Sequence, residues 1–372
     1  MKFLQGSSVK IDVLEAVREA CRPFADASPR LVLFFCDSER LEAFSAAISE
    51  LFPDAAAAGA ATYASFSPQG VCREGLNAAA LCGDVRVSAG LIGEIDKNPM
   101  KYMGAVADAV KKMGADADAG NTICFLLNPA GTNCEELVLD TLADALEDSG
   151  IRVMGGAASS DEILSGSVSL NGSVYDDHSV FVFIRPEKGR VHIALENIFQ
   201  PLSGSFMVTK ADVESRTIYE LDGHPAADVL CRALDVPFAD LSKALAEHPL
   251  GRVPDGELFI NEVRCVNPDR SVSTYCRVFN HTPVALLELR DMRQALGETL
   301  ASVRAALPEP VFSIMVNCFR RTDLFLDKGV MSEFTDTLTG TLGSFIGISS
   351  FGEQLGSYQL SMSMLIATFS DR

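Results

Sequence analysis

TICFLLNPAGT (122–132), a helical stretch around Glu135–Glu147 and GIRVMGGAASS (150–160) form one strand–helix–strand unit, and the chain contains that unit three times. The first copy is LVLFFCDS (31–38), a helix around Arg40–Leu51 and FPDAAAAGAATYAS (52–65). The third is VFSIMVNCFRR (311–321), a helix around Ser332–Leu342 and GSFIGISSFGE (343–353). Each second strand ends in glycine, alanine or hydroxylated residues. Each copy then crosses a polar loop into another apolar strand: LNAAALCG (76–83), SVFVFI (179–184) and SMSMLIATF (361–369). Such self-similarity fixes the architecture ahead of any single motif. Small residues at a strand end let backbone amides face a pocket. Three such corners imply a scaffold for a ligand and carry no catalytic signature.

Outside the repeats, Asp12–Ala25 reads as a lead-in helix, with Val13, Leu14, Val17 and Cys21 at helical spacing. VRVSAGLIG (85–93) and a helix from about Asn98 to Met113 join the first two copies. RVHIALENIF (190–199) alternates as a strand does. Segment 206–234 reads as strand, turn, strand, a tight turn at Asp222–Gly223 and a helix beginning near Pro225. ELFINEVRCV (257–266) and STYCRVFN (273–280) read as a hairpin, and a helix over 290–306 leads into the third copy. The fold class expected is α/β, with α+β the alternative: two lobes of mixed sheets flanked by helices. The division expected is a lead-in helix over 1–30, a first domain over 31–220 and a second over 221–372.

The chain has 372 residues, 48% of them apolar and 22% charged, which is a globular composition. Fifty acidic residues against 31 basic ones give a net charge of −19. An excess of that sign argues against nucleic acid, which needs a basic face, and against anionic lipid. The ten cysteines include no C-x-x-C pair and no zinc spacing, so no metal is expected. Thiols inside apolar strands (Cys36, Cys124, Cys318) behave as small hydrophobes. All are expected to be reduced, which fits the cytoplasm. The N-terminal segment lacks a signal peptide's apolar stretch, and no segment is a membrane span.

In this order, LVLFF, MGGAASSD (154–161), VTKADVESRTIYELDGHPA (208–226), HPLG (248–251), the strand with Arg264, NCFRR (317–321) and GISSFGE (347–353) resemble the FIST sensory proteins. Both a FIST N-terminal and a FIST C-terminal domain are covered, from about Leu31 to Ser357. The resemblance implies a sensor in intracellular signal transduction that binds a small ligand, with amino acids the usual class. It also implies a signalling partner in trans, because no output domain is attached. The first corner, GAATYAS, departs from the family's G-x-S-x-x-G-E. Arg320 takes a usually small position, and QLSMSML (359–365) lacks a polar element seen in relatives.

Glu353 is the one charged residue between Asp336 and Asp371, set among Gly347, Ser349, Ser350 and Gly352. It is either an exposed loop acid or a group paired with a cation, ligand or Arg321, because an unpaired buried charge is costly. Arg321 follows the third-copy strand, and its planar fork suits a carboxylate; the bland alternative is a solvated loop residue. Arg264 lies on an alternating strand and either points outward or joins the site. Cys318 is a packed strand thiol or a reactive one. With Gly155 and Gly156 of the second corner, these residues form the candidate ligand set, and no catalytic residue is proposed. His178, His192, His224, His248 and His281 are scattered and assemble no triad. There is no G-x-S-x-G elbow, no G-x-G-x-x-G and no Walker loop, so no cofactor is expected. NPAGTN (128–133) offers either an anion-binding helix start or a plain cap by Thr132 or Asn133. The function expected is therefore a non-enzymatic sensor whose pocket is lined by the second and third corners. A hydrolase or transferase of a small metabolite and a ligand-free adaptor are the alternatives.

Overall fold

The three copies seen in the sequence organise the structure, and each is longer than its strand–helix–strand core. A computed structural model describes residues 1–162, 164–202, 204–253 and 256–371. The first copy runs β1 (Lys2–Ser8), α1 (Val13–Cys21), β2 (Pro29–Cys36), α2 (Leu41–Leu51), β3 (Ala56–Ala61), the hairpin β4 (Ser65–Ser67) and β5 (Gly70–Cys72), and β6 (Leu76–Cys82). The second repeats that order as β7 (Val85–Gly93), α3 (Met103–Met113), β8 (Ile123–Asn128), α4 (Glu135–Leu146), β9 (Arg152–Ala157), β10 (Val168–Leu170), β11 (Ser173–Tyr175) and β12 (His178–Pro186).

The third copy opens with β13 (Val191–Asn197) and is interrupted by an insertion. The insertion holds β14 (Phe199–Pro201), β15 (Phe206–Asp212), β16 (Thr217–Leu221), β17 (His224–Pro225), α5 (Ala226–Leu234) and α6 (Leu241–Glu247). It continues through β18 (Leu250–Arg252), β19 (Phe259–Asn261), β20 (Val263–Val266), β21 (Val272–Thr274) and β22 (Pro283–Leu289). The copy resumes with α7 (Met292–Ala306), β23 (Phe312–Cys318), α8 (Phe319–Asp327), α9 (Met331–Leu342), β24 (Phe345–Ser350), β25 (Glu353–Leu355), β26 (Tyr358–Leu360) and β27 (Ser363–Phe369).

The fold is thus α/β, with mixed sheets flanked by helices. Two compact units divide it. One comprises Met1–Leu195, Glu298–Tyr358 and Met364–Arg372; the other comprises Glu196–Gly297 and Gln359–Ser363. The second unit holds the nine-stranded sheet of the insertion, with Val208, Ile218, Leu230, Leu245 and Leu286 in its core.

In the first unit, the two strands of each strand–helix–strand core run parallel (β2 with β3, β8 with β9, β23 with β24), and the closing strand lies antiparallel on the first of them. The helix-facing side chains form separate cores. Val32 and Phe34 pack with Val17, Phe44 and Ile48, while Leu126 and Val153 pack with Val106, Leu139 and Leu142. Helix α1 starts where the Asp12 carboxylate accepts the Glu15 N–H at 2.9 Å, satisfying an otherwise orphan donor.

The hairpins are exchanged cyclically. β10 of the second copy pairs with β3 of the first, Val168 opposite Ala60. β4 of the first copy pairs with β24 of the third, Phe66 opposite Gly347. β25 of the third copy pairs with β9 of the second, Glu353 opposite Gly156. Each copy therefore leaves its own sheet at the small-residue corner and completes another copy's sheet. Close strand approach explains the composition there. A Cβ on Gly59 would lie 2.4 Å from the Phe34 ring, and one on Gly155 would lie 2.1 Å from the Leu126 carbonyl oxygen.

Some expectations need correction. β1 was not foreseen, and neither was α8. The hairpin expected over 257–280 is shorter, with β21 ending at Thr274. The cap expected at Thr132 or Asn133 falls one or two places later: Cys134 holds the α4 N-cap position, and the Thr132 hydroxyl accepts its N–H at 3.3 Å.

Candidate ligand-binding site

The last register pairs of the three parallel strand pairs are Cys36 with Ala61, Asn128 with Ala157, and Cys318 with Ser350. The corners that follow converge in one buried polar junction. The Thr62 hydroxyl lies 2.7 Å from the Ala64 carbonyl and 3.0 Å from that of Ser349, and it accepts the Ser349 N–H at 3.1 Å. The Ser349 N–H also reaches the Ala64 carbonyl at 2.8 Å. Ser159 donates its hydroxyl to the Ser349 carbonyl at 2.5 Å and accepts the Tyr63 N–H at 2.9 Å. Its own N–H bonds to the Ala61 carbonyl at 3.0 Å. One residue from each copy thus meets at Ser349.

The network continues beneath α8. The Ser349 and Thr322 hydroxyls are 3.1 Å apart, and Asn317 donates its amide to Thr322 at 2.9 Å. Ser350 donates to the Gly352 carbonyl at 2.7 Å, and that carbonyl also accepts the Ala157 N–H at 3.1 Å. Gly352 has φ +129°, a conformation in which a side chain would be strained. Asn77 bonds to the Ser65 hydroxyl at 2.8 Å on the strand beside β24. Several amide atoms here are buried and make no hydrogen bond within the protein: Oδ1 of Asn77, Oδ1 of Asn317, and both Oδ1 and Nδ2 of Asn128. Buried polar groups in native proteins are paired almost throughout, so a cluster of unmade bonds at one set of strand ends singles out this junction as the candidate site.

Glu353 and Arg321 are both fully buried, which excludes the exposed-loop reading for each. Glu353 opens β25, opposite Gly156. Arg321 belongs to the first turn of α8, not to a strand end, and its guanidinium carbon lies 4.9 Å from the Phe325 ring centroid and 5.9 Å from that of Phe334. Their positions correspond, since each follows by three residues one member of the Cys318–Ser350 pair. Ser349, Ser350 and Cys318 are buried with them. Gly155 and Gly156 line the same corner, and a Cβ on Gly156 would lie 2.4 Å from the Ser350 hydroxyl. Arg264 is exposed on β20, in the other unit. His248 bonds through Nδ1 to the Leu287 carbonyl at 2.9 Å, a structural role.

A half-buried aromatic cluster borders the junction. The Tyr63 ring meets Phe319 edge-on at 4.6 Å, and Phe319 lies 4.7 Å from Phe351. Burial and a hydrogen bond to Asp323 push the Tyr63 phenol up to about 12. Arg73 stacks over Tyr63 at 4.1 Å and pairs with Asp161 at 2.7 Å.

Thr62, Ser159, Thr322, Asn128 and Asn317 escaped the sequence reading as site residues. Thr62 was lost because its corner lacks the glycine and acid of the other two, yet it takes full part in the junction. The available signal was positional: TYAS, AASS and ISSF lie at the ends of three equivalent strands. No group of three or more His, Cys, Asp or Glu residues suited to a metal occurs among the described residues. No helix there is long and apolar enough to cross a membrane.

Comparison with known proteins adds the family. The model of the FIST N domain matches residues 30–224, and that of the FIST C domain matches residues 226–355. A crystal structure of a chorismatase is similar over 92% of this chain and 92% of its own, at 10% identity and a TM-score of 0.36. That likeness is too loose to carry an argument. A search of the curated proteins finds no match.

Proposed function

This chain belongs to the FIST family over nearly its whole length, and on that premise we propose that it is a sensory protein binding a small polar metabolite. FIST domains are sensory-type domains. The observation that carries the reading is the buried junction of three corners, with hydroxyls, unmade amide bonds and a carboxylate at the strand ends and a buried guanidinium in the first turn of α8. An amino acid is the ligand class that such a set suits. Its ammonium would go to Glu353 and its carboxylate to Arg321, with the corner hydroxyls and amides around them. The signal would pass to a separate protein, in the cytoplasm, with which ten cysteines outside any disulfide are compatible.

The test is a melting screen against amino acids. A ligand at 100 times its Kd stabilises a fold by about 2.7 kcal/mol. The ligand should be recovered unchanged, and Glu353→Gln should weaken its binding by about 1.5–3 kcal/mol. Turnover of the compound would decide for an enzyme. Binding indifferent to Glu353→Gln would remove the carboxylate from the site.

A further inference from the structure

We infer that the Tyr63 ring, with the carboxylates of Asp161 and Asp323 beside it, forms a site for an organic cation, and that Arg73 fills this site from within the chain until a guanidinium or ammonium ligand displaces it. The inference deepens the proposed ligand-binding function and rests on it for the class of small metabolite. The platform is built by all three copies: Tyr63 comes from the first, Asp161 from the second, and Phe319, Asp323 and Phe351 from the third.

The ring is fixed and its occupant is not. Tyr63 is held by its N–H to the Ser159 hydroxyl at 2.9 Å and by the edge-on Phe319 ring at 4.6 Å. Arg73 is 47% exposed and its partner Asp161 is 83% exposed. Exposed ion pairs and exposed cation–π contacts are each weak. A guanidinium carbon 4.1 Å from the ring centroid, with a carboxylate at 2.7 Å, shows the geometry that an incoming cation would adopt. The platform is also wired inward, because Ser159, which holds the Tyr63 backbone, donates in turn to the Ser349 carbonyl. Displacement of Arg73 would therefore occur one hydrogen bond away from the buried junction.

Calorimetric titration with agmatine, which carries a guanidinium and an ammonium but no carboxylate, tests the idea on the full chain. Arg73→Gln should bind agmatine about two- to fivefold tighter than the unaltered protein, the scale of one weak surface contact removed. Adding Tyr63→Phe should keep that gain, because the ring remains, and adding Tyr63→Leu should abolish it. Unchanged or weaker binding by Arg73→Gln overturns the inference, since Arg73 would then be a bystander or a ligand contact. Loss of amino-acid binding in Glu353→Gln, with no agmatine response in Arg73→Gln, would leave the sensor reading standing and sink only this site. Tighter agmatine binding without any amino-acid response would do the reverse.

Discussion

Ser159 and Ser349, 190 residues apart in sequence, are joined by a 2.5 Å hydrogen bond from the Ser159 hydroxyl to the Ser349 carbonyl. Ser159 also accepts the Tyr63 N–H at 2.9 Å, so one side chain ties the three corners together. Thr62 makes a similar bridge, but its loss is cushioned, because the Ser349 N–H keeps the Ala64 carbonyl at 2.8 Å. Ser159→Ala strands the Tyr63 N–H and leaves the Ser349 carbonyl only the Thr62 hydroxyl, which is shared with Ala64, and should cost about 1–3 kcal/mol. Thr62→Val should cost about 1 kcal/mol, the net value of an ordinary hydrogen bond. Chemical denaturation of the two variants checks the ranking, and an equal or reversed order would contradict the network.

The paired glycines allow a second ranking. A Cβ on Gly155 would meet a backbone oxygen at 2.1 Å, whereas one on Gly156 would meet a serine hydroxyl at 2.4 Å and a valine methyl at 2.7 Å. Side chains can rotate away and strand backbone cannot. Overpacking costs typically about 1–3 kcal/mol, so Gly156→Ala should fall in that range and Gly155→Ala should exceed it. Melting temperatures of the two proteins decide the order.

The architecture was legible because three strands of the same kind, LVLFFC, ICFLLN and SIMVNC, each precede a helix and a small-residue strand. Only the core of each repeat could be seen. β1 is an edge strand, mostly half-buried, so KFLQGSS shows no apolar alternation. Helix α8 was hidden because Cys318 is both the last residue of β23 and the N-cap of α8, with no glycine, proline or polar loop between them. Hairpin exchange could not be read at all. Strands of three residues carry almost no periodicity, and their partners lie in another copy. That exchange is what buries Glu353, which local sequence presents as a loop residue.

The thiols provide a separate check. None of the ten cysteines is in a disulfide. Alkylation after denaturation, without reductant, should therefore modify ten sites by mass spectrometry; any disulfide found would contradict the structure. In the native protein the reaction should be confined to the half-buried Cys72, Cys134, Cys231 and Cys265. Burial pushes the Cys21 thiol up to about 12 and those of Cys36 and Cys124 well upward, so these lack the reactive thiolate as well as access.

Tyr63 should make the fold sensitive to alkali. Its phenol is raised from 10.0 to about 12, first by burial and then by the hydrogen bond to Asp323, with Asp161 adding to the rise and Arg73 opposing it. The folded state thus holds this proton more tightly than the unfolded chain does. Its contribution is fully present below pH 10 and is lost as pH rises through about 12. Other tyrosines, lysines and thiols titrate in the same window, so the informative quantity is a difference between proteins. Stability of the unaltered chain should fall more steeply above pH 10 than that of Tyr63→Phe, which has no phenol to ionise. Tyrosinate absorbance gives a second readout: one of the six tyrosines should ionise late, and that late step should be missing in Tyr63→Phe. Parallel stability curves with an unchanged titration would mean that Tyr63 is not held by Asp323 in solution.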